Sequence, residues 1–380
     1  MSSTASPAPA PSSKRPLPTE PVLTASGRRK PKTKHEESPF THFGRHYVRA
    51  IEMFTLPSTV VTAGLLRDPD ANEQRYSAIE NRHYRSFQAL VKLVPTFAMI
   101  IENEDAPPEE VQKLLDDFAG CLSLGASGAK SDDTSSLRGA VIDWLQKDFR
   151  KHANVDDLDR DMKTGRGFRN PITGHLLCPA VLNWDSESVR AELLDRTATI
   201  NGDLINGSHW PNFLYAGTFN PDLPWVGFLQ GKYLLRTYCH IFTSPSSAKG
   251  DMVAPGSARA TRCGNAAIFG MTNVTEASIA YAAAQASSCP ICPYSFKTQK
   301  ACDALGLYNA IRDYLEAPEF AMEREALLLW WNRQFFPTHH VQRSTINHGL
   351  EQMRAARCKQ AALAAAESAE TSASGSGAEE

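Results

Sequence analysis

Cys289-Pro290-Ile291-Cys292 has the two-residue gap that lets two thiolates face one zinc ion, and Cys302 lies a short way on. A structural zinc site takes four protein ligands, and no second CxxC or paired histidine follows. The three cysteines therefore read as ordinary thiols in a loop, and no metal or other cofactor is implied. His42 and His46 are one helical turn apart, as metal-binding pairs are, but no glutamate lies between them. Asp157, Asp159 and Asp161 alternate like the first ligands of a calcium loop. The position that must turn sharply is Met162, however, and the one that needs a bidentate glutamate is Phe168. Gly264 and Gly270 match neither GxGxxG nor a Walker loop and read as a packed turn. Arg259, Arg262 and Arg166 are the candidates in the core for contact with a phosphate backbone or a partner surface.

Acid–base chemistry would need His240, Asp222, His209 and Ser244, or His175, Asp185, His209 and Asp222, to converge. No GxSxG elbow presents a serine, and His240 falls on an apolar stretch where a core histidine is expected. Convergence of the second set in one cleft would favour an enzyme with its site between residues 164 and 225. Dispersal would argue against it. The aromatic run Trp330, Trp331, Phe335 and Phe336 reads as core.

The most specific address lies near the N-terminus. Lys14-Arg15, a spacer, then Arg28-Arg29-Lys30-Pro31-Lys32 has the form of a two-part nuclear import signal, whose clusters would occupy separate grooves of an importin-type carrier. Residues 1–40 are rich in Pro, Ser, Thr and Ala with few large apolar side chains, so a disordered tail is expected there. Ser38-Pro39, beside the basic run, is a candidate proline-directed phosphorylation site whose added charge would weaken carrier binding. Nuclear localisation follows as the expectation, with the cytoplasm as the alternative.

Charge separates the binding classes. The chain has 380 residues and a net charge of −2; residues 1–40 carry +4 and residues 351–380 carry −2, which leaves −4 on the core. A domain that neutralises many phosphates is expected to be basic, so a protein partner is favoured over nucleic acid. The low-polarity stretches fall well short of the roughly 20 apolar residues of a membrane span, and no membrane partner is expected. Eight scattered cysteines lack the spacing of a disulfide framework.

Hydrophobic spacing predicts a predominantly α-helical fold: one globular multi-helix domain over 41–343, a long irregular central connection and disordered tails. Helices are expected over Thr41–Phe54, which Pro57 ends, and over Asn72–Asn103 with a perturbation at Pro95. Another runs from Pro107 to about Leu124, followed by a Gly/Ser/Asp-rich loop over Ser123–Ser136 and a helix over Ser136–His152. Thr164–Asn183 reads as irregular packing. Further helices are expected over Val189–Ile200, from after Trp225 to Ser244, from Thr275 through Gln285, over Leu305–Leu315 and over Glu319–Phe335. An exposed Ala-rich helix is expected within 344–368, and 369–380 reads as a second tail.

Several strings within this frame form a familiar set: PDLPWVGFLQGKYLLRTYCHIFTSPSSA (Pro221–Ala248), TRCGNAAIFGMTNVT (Thr261–Thr275), ASIAYAAAQ (Ala277–Gln285) and WWNRQFFP (Trp330–Pro337). Together they resemble domain of unknown function 6698, a family expanded in mushroom-forming fungi, over about 41–337. The resemblance implies no activity and no catalytic residue. The Cys289/Cys292 pair stands where members of that family are expected to carry a serine-rich loop. The reading that remains is a nuclear, non-enzymatic protein that works by binding another protein, ahead of an enzyme or a DNA-binding accessory factor linked to mobile elements or chromatin.

Overall fold

The computed structural model describes residues 38–101, 107–151, 158–161, 165–245, 248, 264–287, 303–337 and the positions 353, 356, 357 and 360. The import-like residues Lys14, Arg15, Arg28, Arg29, Lys30 and Lys32 lie outside them, as do Arg259, Arg262, Cys289, Cys292 and Cys302. From Ser38 onward the chain forms one unit, and it is predominantly α-helical. Among the described residues the only sheet is a pair of two-residue strands.

Helix α1 (Pro39–Ala50) begins with Ser38 as its cap, the hydroxyl accepting from the Phe40 amide at 3.4 Å. Pro57 does more than stop α1. It opens a second helix, α2 (Pro57–Leu65), because a first-turn proline gives up only an amide that would be unpaired anyway. The stretch expected over Asn72–Asn103 is a broken pair, α3 (Ala78–Leu93) and α4 (Pro95–Ile101). A Ser77/Glu80 capping box starts α3, and Pro95 separates the two helices.

The loop expected over Ser123–Ser136 is absent: α5 runs unbroken from Pro108 to Asp148. Glycine costs about 1 kcal/mol within a helix, but here close packing requires it. A Cβ on Gly125 would overlap the Thr41 carbonyl oxygen, and one on Gly44 would overlap the Leu122 carbonyl oxygen, so the backbones of α1 and α5 touch. Two polar residues of that stretch, Asp133 and Thr134, are paired with other helices, while Ser127, Ser131, Asp132 and Ser135 face outward. Asp133 takes two bonds from Arg49, at 2.8 and 2.7 Å, and a third from the Tyr281 hydroxyl at 2.7 Å. Thr134 donates to the Gln285 amide oxygen at 2.8 Å.

Beyond α5, α6 (Pro171–Leu177) lies inside the segment expected to be irregular, with the Asn170 side chain accepting from the amides of Ile172 and Thr173. The helix expected over Val189–Ile200 is shorter: α7 (Glu187–Asp195) stops at Arg196, whose φ is +64°. Strands β1 (Thr199–Ile200) and β2 (Asp203–Leu204) then pair antiparallel about Asn201-Gly202, with φ +54° and +89°. Asn-Gly is the dipeptide such a tight turn selects.

Helix α8 (Lys232–Tyr238) starts later than expected after Trp225 and passes into a π-helical turn over Cys239–Thr243. Next come α9 (Asn265–Ile268), α10 (Glu276–Ala286), α11 (Ala304–Glu316) and α12 (Ala321–Phe335). Every residue from Ala277 to Ala286 is buried, so α10 is the axis of the fold. Its run of alanines lets α1, α8 and α11 come close on all sides. The main core surrounds α10, with Trp331 fully buried and donating to the Leu229 carbonyl at 3.1 Å. A smaller core joins α1–α4 to the first half of α5. Of the C-terminal Ala-rich helix, Met353, Ala356, Arg357 and Gln360 are described; they are helical and exposed.

Candidate recognition cleft

A cleft of about 750 Å³ opens between α6, the loop over 179–185, the segment over 212–221 and the first turn of α8. The loop is fastened at its start. Pro179 bridges Pro211, the Ala180 amide donates to the Trp210 carbonyl at 2.9 Å, and the Asn212 amide donates to the Cys178 carbonyl at 2.9 Å. The Asn212 side chain donates to the His175 carbonyl at 3.0 Å, which ties the segment to α6. Trp184 is seated on Gly174, where a Cβ would overlap its ring. On the far side Gly231 lies against the Phe213 carbonyl, again closer than a Cβ would allow, so α8 starts hard against the cleft wall.

The cleft is aromatic within and polar at its mouth. Trp184, Phe213, Tyr215 and Tyr233 are buried, Phe219 is half-buried, and Asn183, Asp185 and Thr218 are exposed. The Tyr215 and Phe219 rings meet at 77° with centroids 5.3 Å apart. At the α8 end, Asp148 takes the Lys232 ammonium at 2.9 Å, the Arg236 guanidinium at 2.7 Å and the Tyr233 hydroxyl at 3.1 Å. Burial works to raise the Asp148 carboxyl, but the hydrogen bond from Lys232 and the charges of Arg236 and Lys232 outweigh it. The group lies below the usual carboxylate range. Burial, aided by Tyr314, raises the Tyr215 hydroxyl well above the phenol range, and Tyr233 is raised by burial and by Asp148.

A second, shallower cleft of about 490 Å³ lies between α3, α11 and the start of α10. Its floor is an ion-pair network: Glu316 takes Arg82 and Arg85 at 2.8 Å each and Arg312 at 2.5 Å. Burial would raise the Glu316 carboxyl, yet Arg312 and Arg82 hold it below its ordinary range. With its charges satisfied internally, the network joins α3 to α11.

The residues that suggested chemistry in the sequence fall as follows. His175 and Asp185 line the aromatic cleft together. His209 and Asp222 do not join them: His209 accepts from the Asn206 amide at 3.2 Å, and the Asp222 amide turns back to the Asn220 side chain at 2.9 Å. Arg166 was expected on a surface but is 1% exposed, donating to the carbonyls of Asp159 and Arg160 at 2.5 and 3.0 Å. Ser38 caps a helix at the edge of the folded unit. His42 and His46 both stack on Phe269 with centroids 4.5 Å away. His46 is pushed down to about 4 by burial, with Arg49 and His42 adding repulsion. His240 is buried with Nε2 2.6 Å from the exposed Ser136 hydroxyl, a pairing that spacing in the sequence could not show. Among the described residues no group of three or more His, Cys, Asp or Glu side chains could hold a metal ion. No helix among them is long and apolar enough to cross a membrane.

Residues 124–336, more than half of the chain, match a family of unknown function, DUF6698. The chain belongs to that family. No curated protein and no solved structure matches it. The DUF6698 segment begins within α5, later than the Thr41 expected from the sequence, and leaves α1–α4 outside. It contains the whole aromatic cleft, whereas the second cleft draws in part on Arg85 and Ala50 from outside it.

Proposed function

We propose that this DUF6698 protein is a nuclear, non-enzymatic binding module, and that the aromatic cleft is the surface with which it holds a protein partner. The observation that carries this reading is the cleft itself: aromatic walls, a polar mouth and a wall structure fixed by backbone hydrogen bonds and glycine contacts. Aromatic side chains supply large contact area at low entropy cost, which is the chemistry of recognition sites. The mildly acidic core favours a protein over a nucleic acid, and Arg166 is not on the surface to help hold a phosphate backbone. The basic clusters at Lys14-Arg15 and Arg28–Lys32 support import into the nucleus by an importin-type carrier.

An enzyme is the second reading, and one observation favours it: His175 and Asp185 line the same cleft. Affinity purification from nuclei, with and without nuclease and beside a variant lacking residues 14–34, tests the proposal. Partners that survive nuclease and need the basic clusters support it. Partners that vanish with nuclease put nucleic acid first.

A further inference from the structure

We propose that the aromatic cleft takes a trimethylated lysine side chain of a partner peptide, its quaternary ammonium held by ring faces with Asp185 as counter-charge. The proposal rests on the reading of the cleft as a recognition site. The half-buried Phe219 meets Tyr215 edge to face, and Tyr215, Trp184 and Tyr233, each less than a tenth exposed, line the same space. Aromatic rings carry negative quadrupole density on their faces, so a cation that enters against this lining is attracted without hydrogen bonds.

Charge selects the same ligand. Asp185 is exposed at the mouth, and among the described residues it makes no ion pair; its amide is occupied by the Asn183 side chain at 3.0 Å. Lys232 is the opposing cation, and its ammonium is drawn 2.9 Å from Asp148 at the α8 end. The charge in the cleft that lacks a partner is therefore negative. An unmodified ammonium keeps three donors that need water or acceptors, whereas trimethylation retains the charge and removes the donors. Methylated lysine thus loses less on entering an aromatic space. The volume, about 750 Å³, far exceeds one trimethylammonium head, and Val181 is 56% exposed on the lining, so flanking peptide has room and an apolar contact.

The test is titration calorimetry on the full chain with four probes. They are a capped Gly-trimethyllysine-Gly peptide, its unmodified lysine form, the isostere in which carbon replaces the quaternary nitrogen, and choline. The trimethylated peptide is expected to bind about tenfold more tightly than the lysine form or the neutral isostere, as a desolvated cation–π contact would give. Asp185→Asn weakens that binding and Lys232→Gln strengthens it. Equal binding of the neutral isostere would overturn the proposal in favour of a purely apolar pocket. Choline binding as tightly as the peptide would overturn the peptide source. No saturation by any probe, while Asp185→Lys still abolishes partner recovery from nuclei, would overturn the ligand class and leave the binding-module reading standing.

Discussion

Gly174 and Trp184 are in contact so close that a Cβ on the glycine would overlap the indole ring. One wall of the cleft is therefore set by the absence of a side chain on α6. Gly174→Ala must displace the indole or the helix, and overpacking of this kind costs about 1–3 kcal/mol. Thermal unfolding should shift downward, and a change in tryptophan emission should accompany it. An unaltered melting temperature and spectrum would show that the ring is not seated as described.

The crossing of α1 and α5 makes a second steric prediction. Gly125→Ala drives a methyl group into the Thr41 carbonyl, and backbone yields less readily than a side chain. A loss of about 1–3 kcal/mol or more is expected in urea unfolding. Gly120→Ala, where a Cβ meets nothing within 4 Å, should instead be neutral or stabilising by up to about 1 kcal/mol.

Asp133 is the junction of three helices, accepting from Arg49 of α1 and Tyr281 of α10 while standing on α5. Asp133→Ala leaves the Arg49 charge buried without its partner, a change that costs about 3–5 kcal/mol. Chemical denaturation of the variant should show this loss. A loss under about 1 kcal/mol would mean that water reaches the guanidinium.

His46 gives the fold a pH dependence. Its folded pKa is depressed to about 4 from an ordinary 6.5, so the unfolded chain binds the proton first as pH falls. Stability from this group is full above pH 6.5 and declines as pH drops toward 4, by about 3 kcal/mol in all. Asp148 and Glu316, also depressed, lose their contribution further to the acid side, from their ordinary values of 3.8 and 4.5 downward. Urea midpoints measured across pH 7 to 4.5 should fall for the wild type and stay flatter for His46→Gln. Parallel curves would assign the decline to other groups.

Ser38 joins the import-like tail to the folded unit and caps α1. Ser38→Ala should cost about 1 kcal/mol, and Ser38→Asp should keep the cap. If phosphorylation also tunes import, Ser38→Asp lowers nuclear accumulation without lowering the melting temperature. Unchanged accumulation would confine Ser38 to its capping role.

Much of the fold was legible from the sequence, by different signals: apolar spacing marks one face of α11, alanine content and the Thr275 cap mark α10, and Pro95 marks the break between α3 and α4. The errors have a common cause. Asp133, Thr134 and the glycines around them resemble a loop until their partners on α1 and α10 are known, and tertiary contacts then override local preference. Asn201-Gly202 did carry a hairpin signal, but two-residue strands are too short for alternation to reveal. Of the cleft, His175 and Asp185 were legible as chemistry-bearing residues. Trp184, Tyr215 and Phe219 were not, because their contacts depend on where a chain without regular structure folds back.

The central claim is that the cleft holds the partner. Crosslinked affinity purification from nuclei should compare the wild type with Asp185→Lys and Thr218→Trp, which alter the mouth at exposed positions, and with Arg85→Ala at the second cleft as control. With melting temperatures matched, nuclease-resistant partners should be lost from both cleft variants and kept by Arg85→Ala. Equal recovery from all four proteins would contradict the account.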